Sequence, residues 1–164
     1  CEHLIKELED KILELGPDNV AAFFAEPIMG AGGVIVPPRG YHRRTWEVCK
    51  KYDILYVSDE VVTAFGRLGH MFASKEVFDI QPDIITSAKG LSSGYVPLAA
   101  TIFSGEIWDV ISAPNPDHVF ACGYTYSGHP VSCAAALAAI AEIHAVLEGA
   151  DASPLDLTPS RSAA

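Results

Sequence analysis

The sequence predicts an α/β fold: a mainly parallel sheet flanked by helices, incomplete at its flanks. Three observations predict it. Short apolar runs, VAAFFAEP, ILYVSDE and DIITSAK, recur along the chain, and each runs into a charged residue. Within them apolar residues follow one another rather than alternate, the pattern of strands covered on both faces. Segments with helical spacing lie before, between and after them, the order of βαβ units. No internal repeat is visible.

Taken in order, CEHLIKELEDKILEL carries apolar residues at helical spacing, and GPDN stops it. VAAFFAEP reads as a buried strand closed by Glu26 and Pro27, since the residue before proline is driven to extended backbone. GAGGVIVPPRG is a loop whose glycines lack the GxGxxG spacing. YHRRTWEVCKKYD is an amphipathic helix. ILYVSDE is a second strand, ending in Asp59 and Glu60. DIITSAK is a third, ending in Lys89, and VPLAATIFSG is a fourth. GYTYSGHP, with Thr125, is the loop before VSCAAALAAIAEIHAVLE, an Ala-rich helix of high intrinsic propensity. Residues 149–164 have no periodicity and are rich in Ser, Pro and Ala, the composition of a disordered tail. The folded unit is therefore expected over residues 1–148.

The chain has 164 residues, 49% of them hydrophobic, enough for one domain or part of one. A formal net charge of −10 excludes nucleic acid and an anionic membrane surface as partners. No stretch is expected to span a bilayer, and the charged start does not read as a signal peptide. Cys1, Cys49, Cys122 and Cys133 are far apart with no CxxC pair, which argues against a disulfide framework or zinc and predicts a cytoplasmic compartment. The six histidines form no HxH or HxxxH, so no metal site is expected. His42 and His144 fall in helices as structural or solvated residues. Asp59 after ILYVS resembles a Walker B acid, yet no GxxxxGK[ST] supplies the phosphate loop of an ATPase.

Sheets of this kind bind ligands beyond the carboxyl ends of their strands. Glu26, Asp59, Glu60 and Lys89 all fall there, and Thr125 lies in a nearby loop. Each has a plainer reading: Lys89 as a snorkelling surface lysine, Glu26 as a turn residue, Thr125 as a loop hydroxyl. Together they say more. Asp59 and Lys89 are one βαβ length apart, so they are expected to project from adjacent strand ends into one cavity. Ser, Ala and Gly around Lys89 leave room for a bulky group. A carboxylate and an amine on either side of a planar ring suit pyridoxal phosphate (PLP). The lysine forms a Schiff base with its aldehyde, and the aspartate keeps its ring nitrogen protonated.

The stretches VAAFFAEPIMGAGGVIVPP, YVSDEVVTAFGRLGHMFA, DIITSAKGLSSGYVPLAA and GYTYSGHPVSCAAALA, in this order, resemble the class III aminotransferases of PLP fold type I. The subgroup they resemble most is the ω-amino acid or amine:pyruvate transaminases. The resemblance covers residues 4 to 147. It implies a large-domain portion of that fold, with PLP as cofactor. It implies that Lys89 of SAKG is the Schiff-base lysine and proton shuttle, and that Asp59 of SDEV partners the ring nitrogen. Val61, taken to point the same way as Asp59 along an extended chain, would pack on the ring. Glu26 of EP would orient the network around the ring. Thr125 would reach the phosphate across the interface of a homodimer with shared active sites. The implied reaction moves an amino group from an amine or ω-amino acid to a keto acid such as pyruvate. Ornithine- and GABA-type members often read EPIQGE; this chain reads EPIMGA, and Met29 with Ala31 favours the amine or β-alanine:pyruvate subgroup.

The chain corresponds to less than half of a family member. Family parts without a counterpart are the N-terminal Gly/Ser phosphate loop, the ring-stacking aromatic residue, and the small domain with its carboxylate-binding arginine. The chain alone is therefore expected to be inactive or nearly so. Alternative readings are a PLP-dependent aminomutase of the glutamate-1-semialdehyde type, a non-catalytic remnant that only binds or oligomerises, and a plain nucleotide-binding domain.

Overall fold

The computed structural model describes residues 1–114 and 120–149. The expected tail lies, apart from Gly149, outside the described residues. The elements in chain order are α1 (Glu2–Leu15), β1 (Ala22–Ala25), α2 (Tyr41–Lys51), β2 (Leu55–Asp59), α3 (Ala73–Glu76), β3 (Ile84–Ser87), β4 (Ala100–Phe103), α4 (Gly105–Ser112) and α5 (Pro130–Gly149). Short 3-10 turns occupy Pro17–Asn19 and Lys89–Ser92.

The four strands form one sheet in the order β1-β2-β3-β4. β1 and β2 are parallel, with Ala25 opposite Ser58; β2 and β3 are parallel, with Asp59 opposite Thr86. β4 runs antiparallel to β3, with Thr86 opposite Thr101. The sheet is thus mainly parallel, as expected, with one antiparallel edge. Asp83 locks the start of β3 to β2: its carboxylate accepts the Tyr56 N–H at 2.7 Å and the Lys50 ammonium at 2.5 Å.

The larger core joins α1 and α2 to the sheet through Ile5, Ile12, Val48, Cys49, Ile54, Tyr56 and Ile80. Ile5 and Ile12 are two turns apart on one face of α1, and both are buried. Fully burying such a side chain is worth about 1.5–3 kcal/mol. The same burial pushes the Cys49 thiol up to about 11. A smaller core of Ala64, Phe65, Leu91 and Ala136 ties α5 to the turn that opens at Lys89.

Three expectations need correction. Strands covered on both faces do not hold throughout: Phe24 of β1 is 69% exposed and Ile102 of β4 is 42% exposed, because no described element covers them. Two helices, α3 and α4, lie where the sequence pattern predicts none. α4 has its signal in the sequence, since Ser104 precedes it and its Oγ accepts the Ile107 N–H at 3.4 Å. Finally, α5 is long and apolar enough, by length and composition, to cross a membrane, although no such stretch was expected. Its apolarity comes largely from alanine, and two of its residues, Ser132 and Ala136, are buried in the fold.

Candidate active site

The candidate site is the carboxyl edge of the three parallel strands. β2 ends at Asp59 because the chain turns there. The Glu60 N–H still donates to Thr86 O at 2.8 Å, extending the ladder by one bond, and the Ala64 N–H then donates to Glu60 O at 3.1 Å. Asp59 stabilises the turn itself, its Oδ1 accepting the Val61 N–H at 3.0 Å. Val61 therefore lies in a turn and not on an extended strand, so the two-residue alternation that aimed it alongside Asp59 does not apply. Asp59 is half-buried, as is Glu26 one residue past β1. Glu26 Oε2 accepts the Gly30 N–H at 2.7 Å.

Glu60, beside Asp59, is fully buried and serves the fold. Its carboxylate accepts the backbone N–H groups of Ala73 (2.8 Å) and Ser74 (2.9 Å), the Ser74 hydroxyl (2.5 Å) and the Thr63 hydroxyl (3.3 Å). A buried carboxylate is tolerated only with such a set of donors. It ties the turn after Asp59 to α3.

Lys89 opens the turn that follows β3. Its backbone lies in the left-handed region at φ 36, uncommon for a residue with a side chain and characteristic of functional sites. The side chain is exposed. Lys6, Lys11, Lys50, Lys51 and Lys75 each pair with a carboxylate. Lys89 is the one lysine with no such partner among the described residues, although acids outnumber bases 21 to 11.

Glu26 and Asp59 line one cavity of about 470 Å³, with Phe23, Ala25, Met29 and Ile35 among its walls. Lys89 opens on a second hollow of about 480 Å³ with Phe65, Arg67 and Ser93. The single cavity expected for Asp59 and Lys89 is therefore two hollows, because the turn after Asp59 stands between them. Met29 pairs with Ile35 across a short antiparallel bridge, while Ala31 lies exposed at its tip. Thr125 lies exposed in the turn before α5 and lines neither hollow.

His42 supports this edge from behind. It is buried, and Nε2 lies 2.9 Å from the Pro27 carbonyl, so Nε2 carries the proton. Nδ1 then accepts from the Tyr56 hydroxyl at 3.0 Å. Burial holds the imidazole below its ordinary pKa of 6.5, against an opposing pull from the Pro27 carbonyl. The histidine so fixes the carbonyl next to Glu26. Of the two readings of His42, structural or solvated, its burial and its two bonds favour the structural one.

The family model described as Aminotransferase class-III matches residues 1–152. The chain belongs to the class III aminotransferase family. Among relatives, gamma aminobutyrate transaminase 1, mitochondrial, from Solanum lycopersicum is 56% identical over 138 residues, covering 84% of this chain and 27% of the relative. A gamma-aminobutyrate transaminase 1, mitochondrial, from Oryza sativa subsp. indica is 55% identical with the same coverage. Among solved structures, an (S)-enantioselective omega-transaminase from Thermomicrobium roseum superposes with a TM-score of 0.83 at 47% identity, covering 88% of this chain and 32% of that one. An amine transaminase from an uncultivated Pseudomonas species, solved in its PLP-bound form, gives 0.84 at 49% identity, with the same coverage. The chain thus spans about 27% of the length of the curated relatives it matches.

Class III aminotransferases depend on PLP, and the residues present suit that group. It requires a carboxylate and an amine, and the chain has a half-buried carboxylate at one strand end and, just past the next, an amine with no carboxylate partner among the described residues, each lining its own hollow within the usual size range for small ligands. The close approaches of Gly30 to Val62 and of Gly90 to Phe65 have no signal in the sequence. Nothing in a lone glycine distinguishes a close approach from a flexible loop.

Proposed function

We propose that residues 1–148 are the central part of the PLP-binding large domain of a transaminase. Its parent moves an amino group from an amine or ω-amino acid to a keto acid such as pyruvate. The observation that carries this is the register of the sheet: Asp59 faces Thr86, so Asp59 and Lys89 sit at neighbouring strand ends, three residues of chain apart across the ladder.

When bound, PLP supplies an aldehyde that captures amines and a ring that accepts the electron pair left by a departing proton. Lys89 would hold the aldehyde through Nζ, and after exchange with the donor amine the freed Nζ would take up the proton leaving the substrate carbon. The Asp59 carboxylate would keep the ring nitrogen protonated. Glu26 would orient the groups beside Asp59, and Val61, from its turn, would bound the ring. Thr125 would contact the phosphate of a second copy, which explains its exposure here and calls for a homodimer. The wide spacing of the four cysteines suggests a reducing compartment such as the cytoplasm, whereas the plant relatives are named as mitochondrial.

The donor class has two forms. Met29 on the cavity wall and the missing acid at Ala31 favour simple amines or β-alanine. The identity to named gamma-aminobutyrate transaminases favours gamma-aminobutyrate, itself an ω-amino acid.

The test is addition of PLP, borohydride reduction and peptide mass mapping. The pyridoxyl group is expected on Lys89, absent in Lys89→Ala and reduced in Asp59→Asn. Labelling scattered over Lys6, Lys11, Lys50, Lys51 and Lys75 would overturn the site. Separately, the chain alone is proposed to be inactive, and sustained amino transfer by it would refute that.

A further inference from the structure

Two glycines hold the turn after Asp59 from either side. A Cβ on Gly30 would come within 2.8 Å of Val62 Cγ2. A Cβ on Gly90 would meet Phe65 Cβ at 2.8 Å and the Ala64 carbonyl oxygen at 3.4 Å. Neither glycine adopts positive φ, so both positions require room and not conformational freedom.

The two contacts differ in how far they can yield. Val62 Cγ2 is the end of a side chain and can rotate away. Phe65 Cβ moves only with its backbone, and that backbone is fixed. Phe65 sits at φ 60, its N–H donates to Met71 O at 2.7 Å, and its ring packs 5.6 Å from that of Phe72 in the core shared with Leu91 and Ala136. On the other side of the contact, Lys89 is held at φ 36 and the Leu91 N–H donates to Ala88 O at 2.8 Å. A conformation of that kind persists only when its surroundings impose it.

We propose that Gly90 is a positioning residue: its missing side chain seats the Lys89 turn against Phe65 and thereby sets the spacing between Lys89 and Asp59. Gly30 does the same, less strictly, for Glu26. The consequence for chemistry rests on the proposed roles of Lys89 and Asp59; the spacing itself does not.

The test uses the whole chain and compares wild type, Gly90→Ala, Gly30→Ala and the double variant Gly90→Ala/Phe65→Gly. Amide exchange is followed over residues 60–72 and 86–95, and borohydride-fixed PLP is counted on Lys89 relative to Lys75. In Gly90→Ala, exchange is expected to quicken in both segments together, and labelling of Lys89 to fall on the order of tenfold, since a displacement near 1 Å can cost more than that. Gly30→Ala should change residues 26–35 and 60–64 only slightly. Phe65→Gly removes the blocking Cβ and suits φ 60. The double variant should therefore regain labelling of Lys89 even as its melting temperature falls with the lost ring. A merely structural role would lower both. Unchanged exchange over 60–72 in Gly90→Ala, or no recovery in the double variant of a labelled wild type, overturns the proposal. If wild type takes no label on Lys89, the assignment of Lys89 as the residue that holds PLP fails. The joint exchange response then decides the Gly90 assignment by itself: its presence supports the spacing role and its absence overturns it.

Discussion

At the scale of single residues, placement decides what a titratable group can do. His42 is buried and neutral, bonded at both ring nitrogens, and burial holds it below its ordinary value of 6.5. The sign follows. Well above pH 6.5 neither the folded nor the unfolded chain protonates it, and its contribution is complete. As pH falls from 6.5 towards the lower folded value, the unfolded state binds a proton the folded state refuses, and stability is lost. Urea midpoints should therefore decline between pH 7.5 and 5.5. That lies above the range in which Glu2 and Glu9, lowered chiefly by bonds to Arg44 and Lys51, begin to matter. His42→Phe should flatten this decline while lowering the midpoint at pH 7.5; an equal slope in the variant would show that another group is responsible. Asp59 and Lys89 were legible because each closes an apolar run. The placement of Val61 was not, because the expected alternation needed β2 to continue and the Asp59 side chain instead capped a turn.

At the scale of elements, α5 is held mainly through the Lys89 turn. Leu91, buried at 6% exposure, sits between α5 and Phe65. Truncation of such a side chain costs about 2–5 kcal/mol. Leu91→Ala should release α5 first: amide exchange over residues 130–149 should quicken well before that over β1 and β2. Uniform quickening along the chain would mean that the two cores unfold as one. The three parallel strands were readable as short apolar runs, α1 and α2 from their helical period, and α5 from its length and alanine-rich composition. α3 escaped because four residues carry no period, and α4 because its eight residues hold too few turns to separate from a loop without the Ser104 cap.

At the scale of the whole molecule, apolar surface stands uncovered. Phe24 is 69% exposed, Tyr95 85% and Leu137 69%, three of the many exposed large hydrophobics among the described residues. The net charge of −10 opposes association, and salt screens that repulsion. The purified chain should bind a hydrophobic dye, and its sedimentation coefficient should rise with protein and salt concentration. A dye-silent monomer at all concentrations would show that these faces rearrange to cover one another.

By itself the sequence determined the fold class, the order of the main elements, the family, and the strand ends that carry Glu26, Asp59 and Lys89. These depend on local periodicity and on motifs, which are properties of neighbouring residues. Only the tertiary structure decided that Glu26 and Asp59 share a cavity while Lys89 opens on another, that Lys89 alone among the lysines lacks a carboxylate among the described residues, and that Gly30 and Gly90 pack closely on Val62 and Phe65. Those facts arise from contacts between residues far apart in the chain, where a missing Cβ or an absent partner has no signature in local sequence.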